Sequence, residues 1–344
     1  MKSSKGPIQG RSSRSSVTLP DSRRVLNSDL LYAPHGEPGR FFNPWLGPTP
    51  SRLSDLLRWK LGGGSGYDKS APIQVPIVQN DGAYLKDREQ PDSVTWVGHS
   101  TFAVQDGGEV FLTDPHWGPR ALLPRRLTPP GIPLDAIPND AFVVLSHNHY
   151  DHLDAWTVRR LPKTMQWFVP LGLGAFLRRR GQERVVELDW WQSARHGRWT
   201  LTCLPAQHWS NRFGMKRNAA LWCSWFLDSG ERRYYFAGDS GWFHGFAEFG
   251  LRFAPIDVAF LPIGAYEPRW FMRTAHINPE EAWRAFLDLG ARTMFSMHWG
   301  CFDLTDEPAD LAPKVLEEIL AREGADRERV RTLAVGERCV LGHR

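Results

Sequence analysis

Long apolar runs are missing from this 344-residue chain. None reaches the roughly 18 residues that a membrane-spanning helix needs, so no transmembrane segment is expected. Peripheral contact with a membrane surface stays open. The basic, Ser-rich N-terminus is not followed by an apolar stretch of signal-peptide length, and the expectation is a cytoplasmic protein. Cysteine is scarce and scattered. Cys203, Cys223, Cys301 and Cys339 form no CxxC pair in a chain too large to need staples, which favours reduced, mostly buried thiols. Surplus positive charge is absent from the body of the chain. The net charge is +4, but residues 1 to 28 hold six bases (Lys2, Lys5, Arg11, Arg14, Arg23, Arg24) against Asp21, leaving the remainder with one net negative charge. On that balance no nucleic-acid partner is expected.

What the chain does have is apolar bulk: 42% hydrophobic residues, with 16 Trp and 19 Phe, enough to fill a sizeable core. Residues 1 to 28 are polar and Ser/Arg-rich, a composition that favours disorder. Residues 29 to 92 form an aromatic, proline-punctuated extension with a breaker region at Gly62 to Gly66. Within it, Ser51 or Ser54 is placed to cap a short helix carrying Leu53, Leu56, Leu57 and Leu61. A strap packed on the core is the favoured reading. The alternative is an interfacial lip that touches lipid with Phe41, Phe42, Trp45 and Trp59. Residues 93 to 344 read as one α/β catalytic domain. Strands SVTWVG, TFAVQ and EVFLTD come first, with a hairpin turn at DGG. Helices DAWTVRRL and LGAFLRRRG follow, then strands WFVP, VVEL, TLTCLP, LWCSWFL, RYYFAG and DVAFLP. A helix over residues 278 to 289 is capped by Asn278, with Pro279 at its first position and Glu280 and Glu281 in its first turn. The strand TMFSM, a helix near 308 to 322 and a strand near 338 to 341 complete the pattern.

The chemistry sits at AFVVLSHNHYDH, residues 141 to 152. An apolar, β-branched run ends abruptly in His147, His149, Asp151 and His152. His147 and His149, two apart in extended chain, point to one side and can grip one metal; Asp151 and His152 lie past the turn and can serve a second. A solvated surface loop has little reason to end a buried strand with three imidazoles. Three further apolar runs end in metal-type residues: TLTCLP shortly before His208, YYFAG at Asp239 and MFSM at His298. Strand ends are where α/β folds assemble sites. The set divides into His147, His149 and His208 for one ion and Asp151, His152 and His298 for another, bridged by Asp239. Zinc is the default for such ligands, two Zn2+ per chain. Two ions about 3.5–4 Å apart make water nucleophilic near neutral pH and neutralise phosphoryl or carbonyl charge, so hydrolysis is the reaction class.

The pattern HxHxDH with the later His, Asp and His resembles the metallo-β-lactamase superfamily, which implies a four-layer αβ/βα sandwich. FFNPW, WVGHST, FLTDP, LSHNHYDHLD, VVELDWW, FAGDS, PIGAYEPRWFM, HINPEEA and HWG, in this order, resemble the branch of N-acylphosphatidylethanolamine-hydrolysing phospholipase D over roughly residues 40 to 342. The resemblance implies a phosphodiesterase producing phosphatidate and an N-acylethanolamine at a membrane surface, and a homodimer. It implies metal ligands His147, His149, Asp151, His152, His208, Asp239 and His298, and substrate contacts Tyr150 and His276. In the implied mechanism Asp239 orients the nucleophile, and His276 holds the phosphate or protonates the leaving alkoxide. His149 stands where two-iron relatives of this fold carry a carboxylate, which favours zinc. The basic tail has no counterpart in the family, and the spacing suggests trimmed loops.

Weaker expectations attach to other residues. Asp114 and His99 are placed either to hold the far nitrogen of a ligand or to play a plain turn or core role. Arg269 meets either a lipid phosphate or Glu267, the pair being favoured. Arg178 to Arg180 read as a solvated helix end, and the Trp near the motifs as groove lining or core. His35, His116, His196, His244 and His343 give no spacing argument. The competing functions are a hydrolase of a soluble phosphodiester, lactone or sugar-phosphate on the same fold, and a lipid-binding scaffold.

Overall fold

The computed structural model describes residues 28–46, 53–62 and 66–342. The expected disordered tail (all but Ser28) and the Ser51 cap lie outside the described residues. Two seven-stranded sheets form the body. The first holds β1 Ser93–Gly98, β2 Thr101–Asp106, β3 Glu109–Thr113, β4 Phe142–Val144, β5 Gln166–Pro170 and β6 Arg184–Leu188 in that order. The second holds β7 Ser193–His196, β8 Trp199–Leu204, β9 Ser224–Asp228, β10 Arg233–Phe236, β11 Val258–Pro262, β12 Thr293–Met297 and β13 Val330–Arg331 in order. The last strand, β14 Arg338–Val340, returns to pair with β1. Each sheet makes three antiparallel pairings and then three parallel ones, so the two halves repeat one plan.

Period-two alternation decides which layer each side chain joins. In the first sheet Val94, Trp96, Phe102, Val104, Phe111, Phe142 and Val144 face the second sheet. Val97, Ala103, Val110, Leu112, Val143 and Leu145 face outward, under α2 Ala155–Arg160 and α3 Gly174–Arg178. Across the inner layer the Phe102 and Phe260 rings lie 4.6 Å apart and those of Phe111 and Tyr234 5.3 Å apart. Outside the second sheet lie α4 Gly245–Phe253, α6 Pro279–Leu289 and α7 Leu311–Arg322, packed α4 on α6 on α7. This is the metallo-β-lactamase fold, its four layers running αβ/βα.

The helix after Asn278 forms as its caps dictate. The Asn278 side chain accepts from the Glu281 backbone, and Glu281 bonds back to Asn278 N–H. Helix α4 gives no such signal in sequence, because Gly245 opens it without a capping side chain and Gly250 interrupts it. Gly250 is demanded by packing, since a Cβ there would sit 2.3 Å from the Asp288 carbonyl oxygen at the end of α6. The strands β7 and β13 and the short α5 Arg269–Met272 are likewise without clear periodicity.

The extension packs as a strap. Trp45 stacks with Phe243 at 5.0 Å and donates to Gln207 Oε1 at 3.0 Å. In α1 Leu53–Leu61, Trp59 is buried and donates to Asp306 at 2.8 Å. Phe41 packs on the core, and of the four supposed lip residues Phe42 alone is exposed.

Candidate metal centre

Parallel strands leave their carboxyl ends on one edge of the sandwich, and the loops leaving them carry the site. The loop after β4 supplies His147, His149, Asp151 and His152; the loop after β8 supplies His208; Asp239 follows β10 and His298 follows β12. Two neighbouring groups of donor atoms result. His147 Nε2, His149 Nδ1, His208 Nε2 and an Asp239 oxygen form one; Asp151, His152, His298 and His99 form the other.

The spacing is that of a coordination set. His147 Nε2 lies 2.9 Å and His208 Nε2 3.1 Å from His149 Nδ1, and both lie 3.7 Å from Asp239 Oδ2. In the second group His152 Nε2 and His298 Nε2 lie 3.5 and 3.4 Å from Asp151 Oδ2, and each lies 3.1 Å from an Asp239 oxygen. Tetrahedral zinc, with bonds of about 2.0–2.1 Å, sets its donors about 3.3 Å apart. His152 Nε2, His298 Nε2 and Asp239 Oδ1 are buried yet make no hydrogen bond of acceptable geometry. Buried polar atoms are ordinarily satisfied, so these orphans and the mixed imidazole and carboxylate set fit divalent ions.

Electrostatics agree. Burial pushes the imidazoles of His147 and His208 well down, and that of His149 down to about 4, leaving them neutral with lone pairs to offer. Burial opposes charge on Asp239 and Asp151, but His152 outweighs it at both, with His298 adding to the pull, and holds both carboxyls well below their usual range. For His298 burial is likewise overcome: Asp239 and Asp151 lift it to about 9. His152 is raised by the same two carboxylates against burial. Without metal, these two imidazolium ions supply the positive charge that the carboxylates require.

The surrounding residues fix the imidazoles of His147, His152 and His208. Asp114 Oδ2 accepts from His152 Nδ1 at 2.6 Å and from Ser146 Oγ at 2.5 Å, and Ser146 Oγ lies 2.9 Å from His147 Nδ1. The Ala275 carbonyl holds His208 Nδ1 at 2.9 Å, and Asn43 of the strap donates to the His208 carbonyl at 2.8 Å. His99 lies 3.0 Å from Asp151 Oδ2 through Nε2. His99, Asp114 and His298 all take left-handed backbone, φ 55°, 34° and 63°, a strain of about 1–3 kcal/mol each that concentrates at the site. Gly264 permits this, because a Cβ there would lie 2.2 Å from the His298 carbonyl oxygen.

His276 joins the cluster from beside it, Nδ1 3.9 Å from Asp239 Oδ2, and burial pushes it down to about 4. Arg269 donates to the His276 carbonyl at 2.9 Å and pairs with Glu281 through both carboxylate oxygens, at 2.8 and 3.0 Å. Its partner is therefore Glu281 rather than Glu267, whose carboxylate instead accepts from the Arg269 backbone. Tyr150 stands at the rim, its hydroxyl accepting from Phe213 N–H at 2.9 Å. Arg212, which carried no sequence signal, is buried beneath it. Its guanidinium lies 4.2 Å from the Tyr150 ring and donates to the Asn148 and Leu153 carbonyls, bracing the HxHxDH loop from both ends. His116 is fully buried with neither ring nitrogen bonded.

A cavity of about 910 Å³ opens over the cluster. His149, Tyr150, Asp151, His208, Asp239 and His276 reach it, and its walls include the apolar Phe42, Leu46, Trp59, Leu122, Leu123, Trp209, Phe271, Met272 and Leu304 beside the polar Glu37, Arg40, Asn211, Arg217 and Asn218. Of the Trp near the motifs, Trp190, Trp222, Trp225 and Trp299 belong to the core, while Trp209 lines the cavity.

The Beta-lactamase superfamily domain matches residues 109–299. The solved isothiocyanate hydrolase from Delia radicum gut bacteria shares the fold, with TM-score 0.59 at 21% identity, covering 72% of this chain and 99% of that one. With the His/Asp cluster at the strand ends, the class is that of a metal-dependent hydrolase. One of two relatives narrows it. N-acyl-phosphatidylethanolamine-hydrolyzing phospholipase D 1 of Caenorhabditis elegans is 39% identical over 349 residues, 93% of this chain and 98% of that protein. An uncharacterized protein of Mycobacterium tuberculosis is 42% identical over 269 residues, 74% of this chain and 70% of that one. The chain belongs to the family of that phospholipase D, within the beta-lactamase superfamily.

Proposed function

We propose that this chain hydrolyses N-acyl-phosphatidylethanolamine to phosphatidate and N-acylethanolamine, using two zinc ions. His147, His149, His208 and Asp239 would hold one ion, and Asp151, His152, His298 and Asp239 the other. The observation that carries the lipid assignment is the largely apolar wall around the cluster: a cavity of about 910 Å³ whose floor is charged and whose sides are mainly Phe, Trp, Leu and Met, with Arg40, Arg217 and Glu37 among them, suits a phosphodiester with acyl chains. The activity named for the Caenorhabditis relative is of this kind.

When bound, the ions supply Lewis acidity that offsets phosphoryl charge and makes water nucleophilic near neutral pH. The chain's own residues do the rest. Asp239, ionised at neutral pH, accepts a hydrogen bond from the attacking water and turns its lone pair toward phosphorus. His276 enters neutral, its basicity reduced by burial, and serves as a hydrogen-bond donor to a phosphoryl oxygen, while the leaving alkoxide takes up the proton that the attacking water gives up as its oxygen bonds phosphorus. Tyr150 keeps its own O–H proton for the head group, since its oxygen already accepts from Phe213. The strap closes one wall with Phe42, Leu46 and Trp59.

The test is phosphatidate release from N-acyl-phosphatidylethanolamine in mixed micelles, with metal content measured in parallel. His149→Ala is expected to lose both metal and turnover. His276→Ala is expected to keep its metal and lose about 100-fold in turnover. A fully metallated protein that spares the lipid but cleaves a small soluble phosphodiester would contradict the lipid assignment.

A further inference from the structure

Three large apolar side chains project into solvent beside the cavity mouth. Phe213 is 96% exposed, Leu123 77% and Leu122 56%. None of them is loosely placed. Residues 120 to 125 form a tight turn: Ala121 N–H donates to the Pro124 carbonyl at 3.0 Å, Arg120 Nη1 to the Leu123 carbonyl at 2.7 Å, and Arg120 pairs with Arg125 across it. Leu122 takes φ 62°, a left-handed conformation that a branched side chain adopts at a cost, and the turn leaves both leucines exposed on the cavity rim. Phe213 is held just as firmly. Its N–H bonds the Tyr150 hydroxyl, Asn211 N–H bonds Asn148 Oδ1 at 2.9 Å, and Arg212 is anchored in the interior.

Charge distinguishes these tips from stray surface leucines. Arg120, Arg125, Lys216 and Arg217 are exposed on the same two loops, and residues 115 to 134 and 205 to 219 contain no acid. Among the cavity-lining residues outside the metal cluster the acid is Glu37, which lies 4.0 Å from Arg40. Apolar tips ringed by cations match the chemistry of an anionic bilayer, whose head groups attract the bases and whose acyl boundary takes the Leu and Phe. We propose that the Leu122–Leu123 turn and Phe213 insert into the surface of an anionic phospholipid bilayer and seat the cavity mouth on it. The proposal rests on the lipid reading of the site, and it moves lipid contact from the strap aromatics, which are mostly packed, to two loops on the cavity rim.

The test is co-sedimentation of the zinc-loaded full chain with vesicles of phosphatidylcholine, with and without phosphatidylserine. Wild type is expected to favour the vesicles containing phosphatidylserine. The combined variant Leu122→Ser, Leu123→Ser, Phe213→Ser is expected to bind about tenfold or more weakly. The combination Arg120→Gln, Arg125→Gln, Lys216→Gln is expected to lose the preference for phosphatidylserine. Leu251→Ser, at an equally exposed leucine (76%) on α4 that contributes nothing to the cavity, is expected to bind like wild type. Unchanged binding by the apolar variant would overturn the proposal. So would a wild-type dimer that this variant dissolves, since the tips would then be a protein interface. Turnover of short-chain, monomeric N-acyl-phosphatidylethanolamine without any vesicle binding would sink the docking surface and leave the lipid reading standing. Tip-dependent vesicle binding without lipid hydrolysis would do the reverse.

Discussion

Two buried aspartates at opposite ends of the sandwich show what a finished polar site looks like and what an unfinished one does. Asp106, at the turn between β2 and β3, is fully buried and closed by protein alone. Tyr234 donates to it at 2.6 Å, Ser229 at 3.4 Å and Arg198 at 2.5 Å. Asp239 is as deeply buried, but its neighbours are His147, His208, His152, His298 and His276, and its Oδ1 has no hydrogen bond. Both places carry charge out of water, which costs several kcal/mol unless partners compensate. At Asp106 the partners are permanent donors. At Asp239 they are imidazoles converging on the same space, of which His152 and His298 carry the protons that offset the carboxylates until a cation takes their place.

Substitutions can break this contrast. Asp239→Asn has the largest expected effect, a fall in turnover of about 1,000-fold or more together with loss of bound metal by elemental analysis, because the carboxylate serves both groups. Asp106→Asn should cost about 2–3 kcal/mol in denaturant unfolding, the upper part of the buried-pair range being discounted because Arg198 keeps 28% of its side chain in water. Metal content should not change. Asp114→Ala leaves every ligand in place but frees His152 Nδ1, and metal affinity measured by competition with a chelator should drop about 10–100-fold.

The pH dependence sharpens the same distinction. His298, lifted to about 9 by Asp239 and Asp151 against burial, keeps its proton in the metal-free protein at pH 7, and that proton must leave for a metal to bind. Zinc affinity should therefore rise as pH approaches 9, by about tenfold per unit for each proton displaced, as titration calorimetry in buffers of different ionisation enthalpy would record. For the metal-free fold the sign runs the other way. A raised imidazole stabilises fully below its unfolded value near 6.5, and that contribution is lost as pH climbs through about 9. Metal-free protein should thus lose thermal stability on alkaline titration over this window, and zinc should abolish that loss.

The clustering of the candidate ligand loops was legible because their signal is local. An apolar run that stops at His147, His208, Asp239 or His298 announces both the strand and what its end carries, and the capping residues around Asn278 do the same for α6. Contacts set by tertiary packing were not. Arg269 has Glu267 two residues away and yet binds Glu281 twelve residues away, because the turn into α6 brings that carboxylate to it. Arg212 acts through backbone carbonyls, which have no residue type and leave no pattern in a sequence. The strap aromatics and the Leu122–Leu123 turn show the same limit from the other side. Trp45 and Trp59 invite a lipid-facing reading by composition, but they find ring partners in Phe243 and Phe271, which leaves Trp45 half-buried and Trp59 buried in the cavity wall. Two leucines in an Arg/Pro-rich loop resemble core residues, and a turn with no room to fold back leaves them outside. Hydrophobicity states that a side chain prefers cover; only the fold decides what covers it.

Two divalent ions should complete the carboxylate and imidazole set around Asp239. The most direct test is stepwise addition of zinc to chelator-stripped protein, following bound metal per chain and the melting temperature together. Saturation at two ions per chain, each step raising the melting temperature and the second lost in His298→Ala, is the predicted result. Saturation at one ion, or binding that leaves the melting temperature unmoved, would contradict it.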